Sequence, residues 1–308
     1  MPRARSLILL LTFLIAPLPG RAETRSVGPD LAYARPSEAS RAARPGDRIV
    51  IAPGTYRDCA IWRVPDLTIE AAPGGAVEIT GPVCAGKGLF VTAAPRITIT
   101  GLTFRGARAA AGNGAGIRAE GGDLTIRRAR FIDNQNGILT ASNARATLLI
   151  DSSEFIGNGA LEKECAHGLY AGRLAAVVIL NSRFTDTRIC HHVKSRAART
   201  EIIGTTILDG ADTATSYLVD IPNGGDLLLS GSTLRKGPRS DNPQAAVVIG
   251  AEGVSHPTTR IEIRDNRFSN RMPRRTIFVR NLTRTAATLA GNRLNGAVLP
   301  LQGPGTVR

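Results

Sequence analysis

Between Glu164 and Asn223 the chain gathers its densest polar chemistry: His167, His191 and His192, three of its four histidines, with Tyr170, Lys194, Arg196 and Asp220. These side-chain types match the needs of β-elimination at a uronic acid. A cation must neutralise the sugar carboxylate, a base must remove the C5 proton, and an acid must protonate the departing oxygen. Arg196 suits the first role. Lys194, beside Arg196 and partly desolvated, is expected to give up its proton readily and act as the base, with Tyr170 or His167 as the acid. Asp220 and His192 complete the catalytic candidates, and Asn223 and Arg173 are candidates for holding substrate. Epimerisation at C5 starts with the same proton abstraction, so these residues serve either reaction. Hydrolysis needs instead two carboxylates, about 5 Å or roughly 6.5–9.5 Å apart. Asp220 offers one, but Glu164, Asp186 and Glu252 all lack a spacing that marks the second. Cys165-Ala166-His167 and Cys190-His191-His192 also present thiols and imidazoles together, as a zinc or copper site would. Plainer roles stand beside these: Tyr170 as a platform for a sugar ring, Asp220 as the residue ordering the turn Pro222-Asn223-Gly224-Gly225.

Short strands must bring these residues together. With Leu169, Val193 and Val219 facing a core, Tyr170, Lys194 and Asp220 turn outward, because neighbouring side chains in a strand point to opposite faces. Spacings of 24 and 26 residues put the three in one column on consecutive coils. Arg196 is expected beside Lys194 on that face, and His192 on it at the other side. The same unit recurs along the chain: an alternating strand, a small polar turn, and an apolar residue that closes it. The closing residues Phe104, Phe131, Phe155, Phe184, Ile207, Leu234, Phe268 and Leu294 lie 23 to 34 positions apart. Such strands are too short to bury their apolar faces alone and become stable when coils stack about 4.8 Å apart around a shared core. The expected fold is all-β, a right-handed parallel β-helix, since βαβ alternation and the four-stranded repeats of a propeller are both missing from the pattern.

Pro45-Gly46-Asp47-Arg48-Ile49-Val50-Ile51-Ala52-Pro53-Gly54-Thr55-Tyr56, followed by Leu67-Thr68-Ile69, resembles the opening coil of the pectin-lyase-like superfamily. The resemblance runs from about Asp47 to Leu294. It implies a right-handed parallel β-helix. It also admits polysaccharide lyases, mannuronan epimerases, glycoside hydrolases and non-catalytic periplasmic accessory proteins, so activity has to be argued from the site. Pro36 to Ala43 reads as a short helix capping the open end of the core. The expected division is a signal peptide at 1–22, an N-terminal segment with the capping helix at 23–46, and the β-helix at 47–308.

Arg3 and Arg5, the apolar run Leu7 to Leu18, and Gly20-Arg21-Ala22 form the pattern of an export signal. No later segment is long and apolar enough to span a bilayer, so no membrane insertion is expected once the signal is gone. Export makes oxidation the expected state of Cys59, Cys84, Cys165 and Cys190. Each pair is 25 residues apart, about one coil, which favours two disulfides over a metal site. The formal charge is +14; without Arg3, Arg5 and Arg21 it is +11, a balance that favours anionic partners. An acidic polysaccharide is expected, not nucleic acid. The expected protein is a periplasmic or secreted monomer working without a cofactor, as the acidic residues form no dense calcium-ligand cluster.

Overall fold

The computed structural model describes residues 22–308, so the expected signal lies outside the described residues except for Ala22. The chain winds as a parallel β-solenoid with three long sheets. The first has 12 strands, from Thr24–Val27 to Gly305–Val307. The second has 10, from Gly54–Arg57 to Arg293–Asn295, and the third has 10, from Ala60–Trp62 to Val298–Gln302. Strand Thr24–Val27 pairs with Arg48–Ile51, so the first sheet begins inside the segment 23–46. The helix Pro36–Ala42 has proline in its first turn and buries Pro36 and Ala39 against the first coil.

Two walls of the core are built on columns of like residues. In the first sheet, Ile49, Ile69, Ile99, Ile126, Ile150, Ile179 and Ile202 stand in unbroken register. In the second, the closing residues named from the sequence form one column from Phe104 to Leu294. There Phe131 and Phe155 stack with centroids 4.6 Å apart, and Phe155 and Phe184 at 4.2 Å. Branched and aromatic side chains suit this pleated surface because each packs on its copy in the next coil.

The corner between the first two sheets explains the small polar turns. Asn181, Gly204, Gly231, Asp265 and Gly291 all have positive φ there, the region glycine enters freely and asparagine and aspartate tolerate. The next residue in each coil, Ser182, Thr205, Ser232, Asn266 or Asn292, turns its oxygen along the axis and accepts the backbone N–H of the preceding coil. These ladders satisfy buried amides that no sheet pairs.

Candidate active site

The third sheet carries the candidate residues. Tyr170 on Leu169–Ala171 pairs with Lys194 on Val193–Ser195, which pairs with Asp220 on Val219–Ile221. Leu169, Val193 and Val219 are fully buried beneath them, as the alternation requires. Lys194 Nζ lies 3.2 Å from Asp220 Oδ2. Arg196 folds back along the same face: its Nε donates to the Tyr170 hydroxyl at 2.9 Å and its Nη1 donates to Asn223 Oδ1. Its guanidinium carbon sits 5.7 Å from the centre of the Tyr170 ring, within cation–π range.

Glu252, only a weak candidate from sequence, completes this cluster from the loop after strand Ala245–Ile249. Its Oε1 accepts from Lys194 Nζ at 2.7 Å and its Oε2 from Arg196 Nη2 at 2.6 Å. Asp220 and Glu252 therefore flank one ammonium, a carboxylate pair that coil spacing alone did not suggest. Burial works against the Glu252 charge, but the hydrogen bonds from Lys194 and Arg196 outweigh it and hold the carboxyl below the usual glutamate range. Burial dominates at Asp220 and raises its pKa, with Lys194 only partly opposing it. Asp220 is 2% exposed, and its Oδ1 has no hydrogen-bond partner among the described residues.

A ring ladder borders the cluster. His167 stacks on His191 with centroids 5.0 Å apart, and His191 on Tyr217 at 5.2 Å. His167 Nδ1 accepts the backbone N–H of His191 at 3.1 Å, and His191 Nδ1 that of Tyr217 at 3.0 Å. With Nδ1 so occupied, each neutral ring keeps its proton on Nε2. His191 Nε2 is 3.5 Å from Asp220 Oδ2. Burial, reinforced by His191, Lys194 and Arg196, pushes His167 well below the usual histidine value. Burial and then Lys194 bring His191 to about 3. Both rings are therefore neutral hydrogen-bond donors near neutral pH.

His192 does not share this face. It is fully buried, its Nδ1 bonded to Thr187 Oγ1 and its Nε2 to Asp209 Oδ1, both at 2.8 Å. The chain bends at His192, one residue ahead of strand Val193–Ser195, and bends likewise at Gly168 and Leu218. Period-two alternation stops at that bend, so His191 reaches the cluster and His192 turns inward. Tyr217 occupies the same position one coil later, a match visible in its spacing of 26 from His191. Arg173 lies exposed in the turn after Leu169–Ala171, and its side chain makes no bond to the cluster among the described residues.

The cysteines pair as expected, Cys59 with Cys84 and Cys165 with Cys190, at Cα separations of 5.4 and 5.9 Å. The sulfurs of Cys165 and Cys190 lie near His167, but bonded to each other they have no thiolate to offer a metal. Further along the same face, a groove of about 460 Å³ is lined by Gln244, Arg274, Arg275, Arg280 and Gln302. Arg280 belongs to the outward column of Tyr170, Lys194 and Asp220, two coils beyond the last.

No protein-family model and no curated protein sequence matches the chain. Among solved structures it is similar to an alginate lyase from Paenibacillus sp. at 17% identity, with a TM-score of 0.52 and coverage of 92% of this chain and 99% of that one. The A-module of a mannuronan C-5 epimerase from Azotobacter vinelandii aligns at 14% identity and a TM-score of 0.44, over 88% of this chain and 93% of that one. A pectin methylesterase aligns at 13% identity and a TM-score of 0.34, over 89% of this chain and 79% of that one. At such identities the likeness is one of architecture, and the first of these structures agrees with the strand register above in a parallel β-helix fold.

Proposed function

We propose that the protein is exported, binds an anionic polysaccharide of uronic acids across the third sheet, and processes it by removing the C5 proton, as a lyase or a C5-epimerase. The observation that carries this reading is the convergence of Tyr170, Lys194, Arg196 and Asp220 from three successive coils, with Arg196 bonded to Tyr170 and Lys194 to Asp220. The two disulfides support a place outside the cytoplasm.

Arg196 faces the uronate carboxylate and stabilises the charge that moves onto it as the C5–H bond breaks. Once the uronate is seated, Lys194 Nζ passes a proton to the Asp220 carboxylate 3.2 Å away, and the freed amine accepts the C5 proton. In elimination the C5–H electrons become the C4–C5 double bond, the C4–O bond breaks, and the Tyr170 hydroxyl gives its proton to the leaving oxygen. The tyrosinate then recovers a proton from the Lys194–Asp220 pair. Tyr170 suits the acid role better than His167, whose imidazole is neutral and whose Nδ1 is engaged by the backbone. In epimerisation the C4–O bond stays intact and a proton returns to the opposite face of C5.

Incubation of the protein with mannuronate, guluronate and galacturonate polymers is expected to raise the ultraviolet absorbance of unsaturated uronic products. Lys194→Ala is expected to lower that rate by about 10²–10⁴-fold, while binding, still held by Arg196, weakens far less. A flat trace with inverted C5 centres by NMR assigns the epimerase. Binding with neither product would leave a non-catalytic accessory protein. A hydrolytic reading has one observation in its favour, the Asp220 and Glu252 carboxylates on a single ammonium. It requires new reducing ends without unsaturation, lost in both Asp220→Asn and Glu252→Gln.

A further inference from the structure

We infer that Glu252 is an internal stand-in for the substrate's carboxylate, filling the seat between Lys194 and Arg196 until a uronate displaces it. The inference rests on the uronate reading above and adds to it a device that sets how the site is entered. Glu252 spreads its two carboxylate oxygens over the two cations, one each, as a planar uronate carboxylate would be held.

The seat survives its departure. Without Glu252, Lys194 keeps Asp220 at 3.2 Å, and Arg196 keeps Tyr170 through Nε and Asn223 through Nη1. Both cations are thus held in place by other partners, with side chains only 11% and 20% exposed. Glu252 differs from those partners. Its side chain is 45% exposed, and it sits in the exposed stretch Ala251 to Ser255 between Gly250 and Gly253, both at positive φ. Glu252 is thus the solvent-facing member of the cluster, the one that can leave to water while the two cations stay in place. The loop itself is tied on both sides of Glu252. The Gly250 N–H bonds to the Ile221 carbonyl, and the Ser255 and His256 N–H groups bond to the Asn223 carbonyl. Its return to the seat is therefore local. Of the titratable groups bordering the seat, His167 and His191 are neutral, and His256 Nε2 lies 3.0 Å from the Arg196 backbone carbonyl, so none of these supplies a negative charge and removal of Glu252 leaves the cluster short of it.

The test is calorimetric titration of the wild type, Glu252→Gln and Glu252→Ala with hexamers of mannuronate and galacturonate, and with a neutral mannose hexamer as control. Both variants are expected to bind the acidic hexamers about fivefold more tightly or better, the neutral hexamer being unaffected, with thermal unfolding confirming that each variant is folded. Wild-type binding that is equalled or weakened in both folded variants overturns the inference and leaves the uronate reading standing. Absence of binding to every acidic hexamer, in the wild type and both variants, sinks the uronate reading and the inference with it. Unchanged affinity with lost turnover in Glu252→Gln also overturns it, in favour of the hydrolytic carboxylate pair.

Discussion

At the scale of single residues, the neighbouring histidines 191 and 192 have opposite fates. His192 is buried with Thr187 and Asp209, so its substitution is a matter of stability. His192→Ala is expected to cost about 3 kcal/mol in urea unfolding, by leaving a buried carboxylate oxygen unpaired, with uronate affinity retained in the folded fraction. His191 contributes a pH dependence. Unfolded, it takes a proton near the ordinary histidine value of 6.5, whereas in the native protein it does so at about 3. Between those values the unfolded chain binds more protons, so this contribution to stability is complete above about pH 6.5 and declines as the pH falls toward 3. The urea midpoint should fall over that window, and His191→Gln should make the fall shallower. The column of Tyr170, Lys194 and Asp220 was legible in the sequence because strand period and coil spacing fix it. The inward turn of His192 was not, since a bend one residue before a strand leaves no periodic trace.

At the scale of elements, the stacked phenylalanines link neighbouring coils of the second sheet. Phe155→Ala is expected to cost about 3–5 kcal/mol, read as a lower urea midpoint, because the rings of Phe131 and Phe184 on either side cannot both close the gap. Strand Thr233–Lys236 ends in an amine that is fully buried and bonded to the Ser216 carbonyl. Burial brings the Lys236 pKa from 10.5 to about 8. Between pH 8 and 10.5 the unfolded chain holds more protons, so stability should rise with pH through that window, and Lys236→Met should abolish the rise. Strands and corner turns were readable because each repeats the same demand, an apolar residue inward or a left-handed corner. The loop bearing Glu252 repeats nothing. Its length and course belong to one coil alone, and its link to Lys194 and Arg196 spans more than 50 residues of sequence.

At the scale of the whole molecule, the two disulfides divide the labour. Cys165–Cys190 ties together the turns that carry His167 and His191, whereas Cys59–Cys84 braces the N-terminal coils. Replacing either pair by alanine should lower stability by about 2–4 kcal/mol. Only the Cys165 and Cys190 replacement is expected to weaken uronate binding as well. Part of the positive charge is gathered near the C-terminal end of the face that bears the site. Arg274 and Arg275, just ahead of strand Thr276–Asn281, and Arg280 on it line one groove there, and the strand register adds that Arg280 stands in the outward column of Asp220.

The site draws its reactive groups from successive coils, one rung at a time, and this has a consequence for descent. Duplication of a coil beyond the loop that bears Glu252, or before Tyr170, would lengthen the molecule and extend its face without disturbing the chemistry. A coil inserted between Tyr170 and Lys194 would part the acid from the base by about 4.8 Å and end it. Lineages of this protein should therefore vary freely in length outside that short cassette and hold their coil count fixed within it.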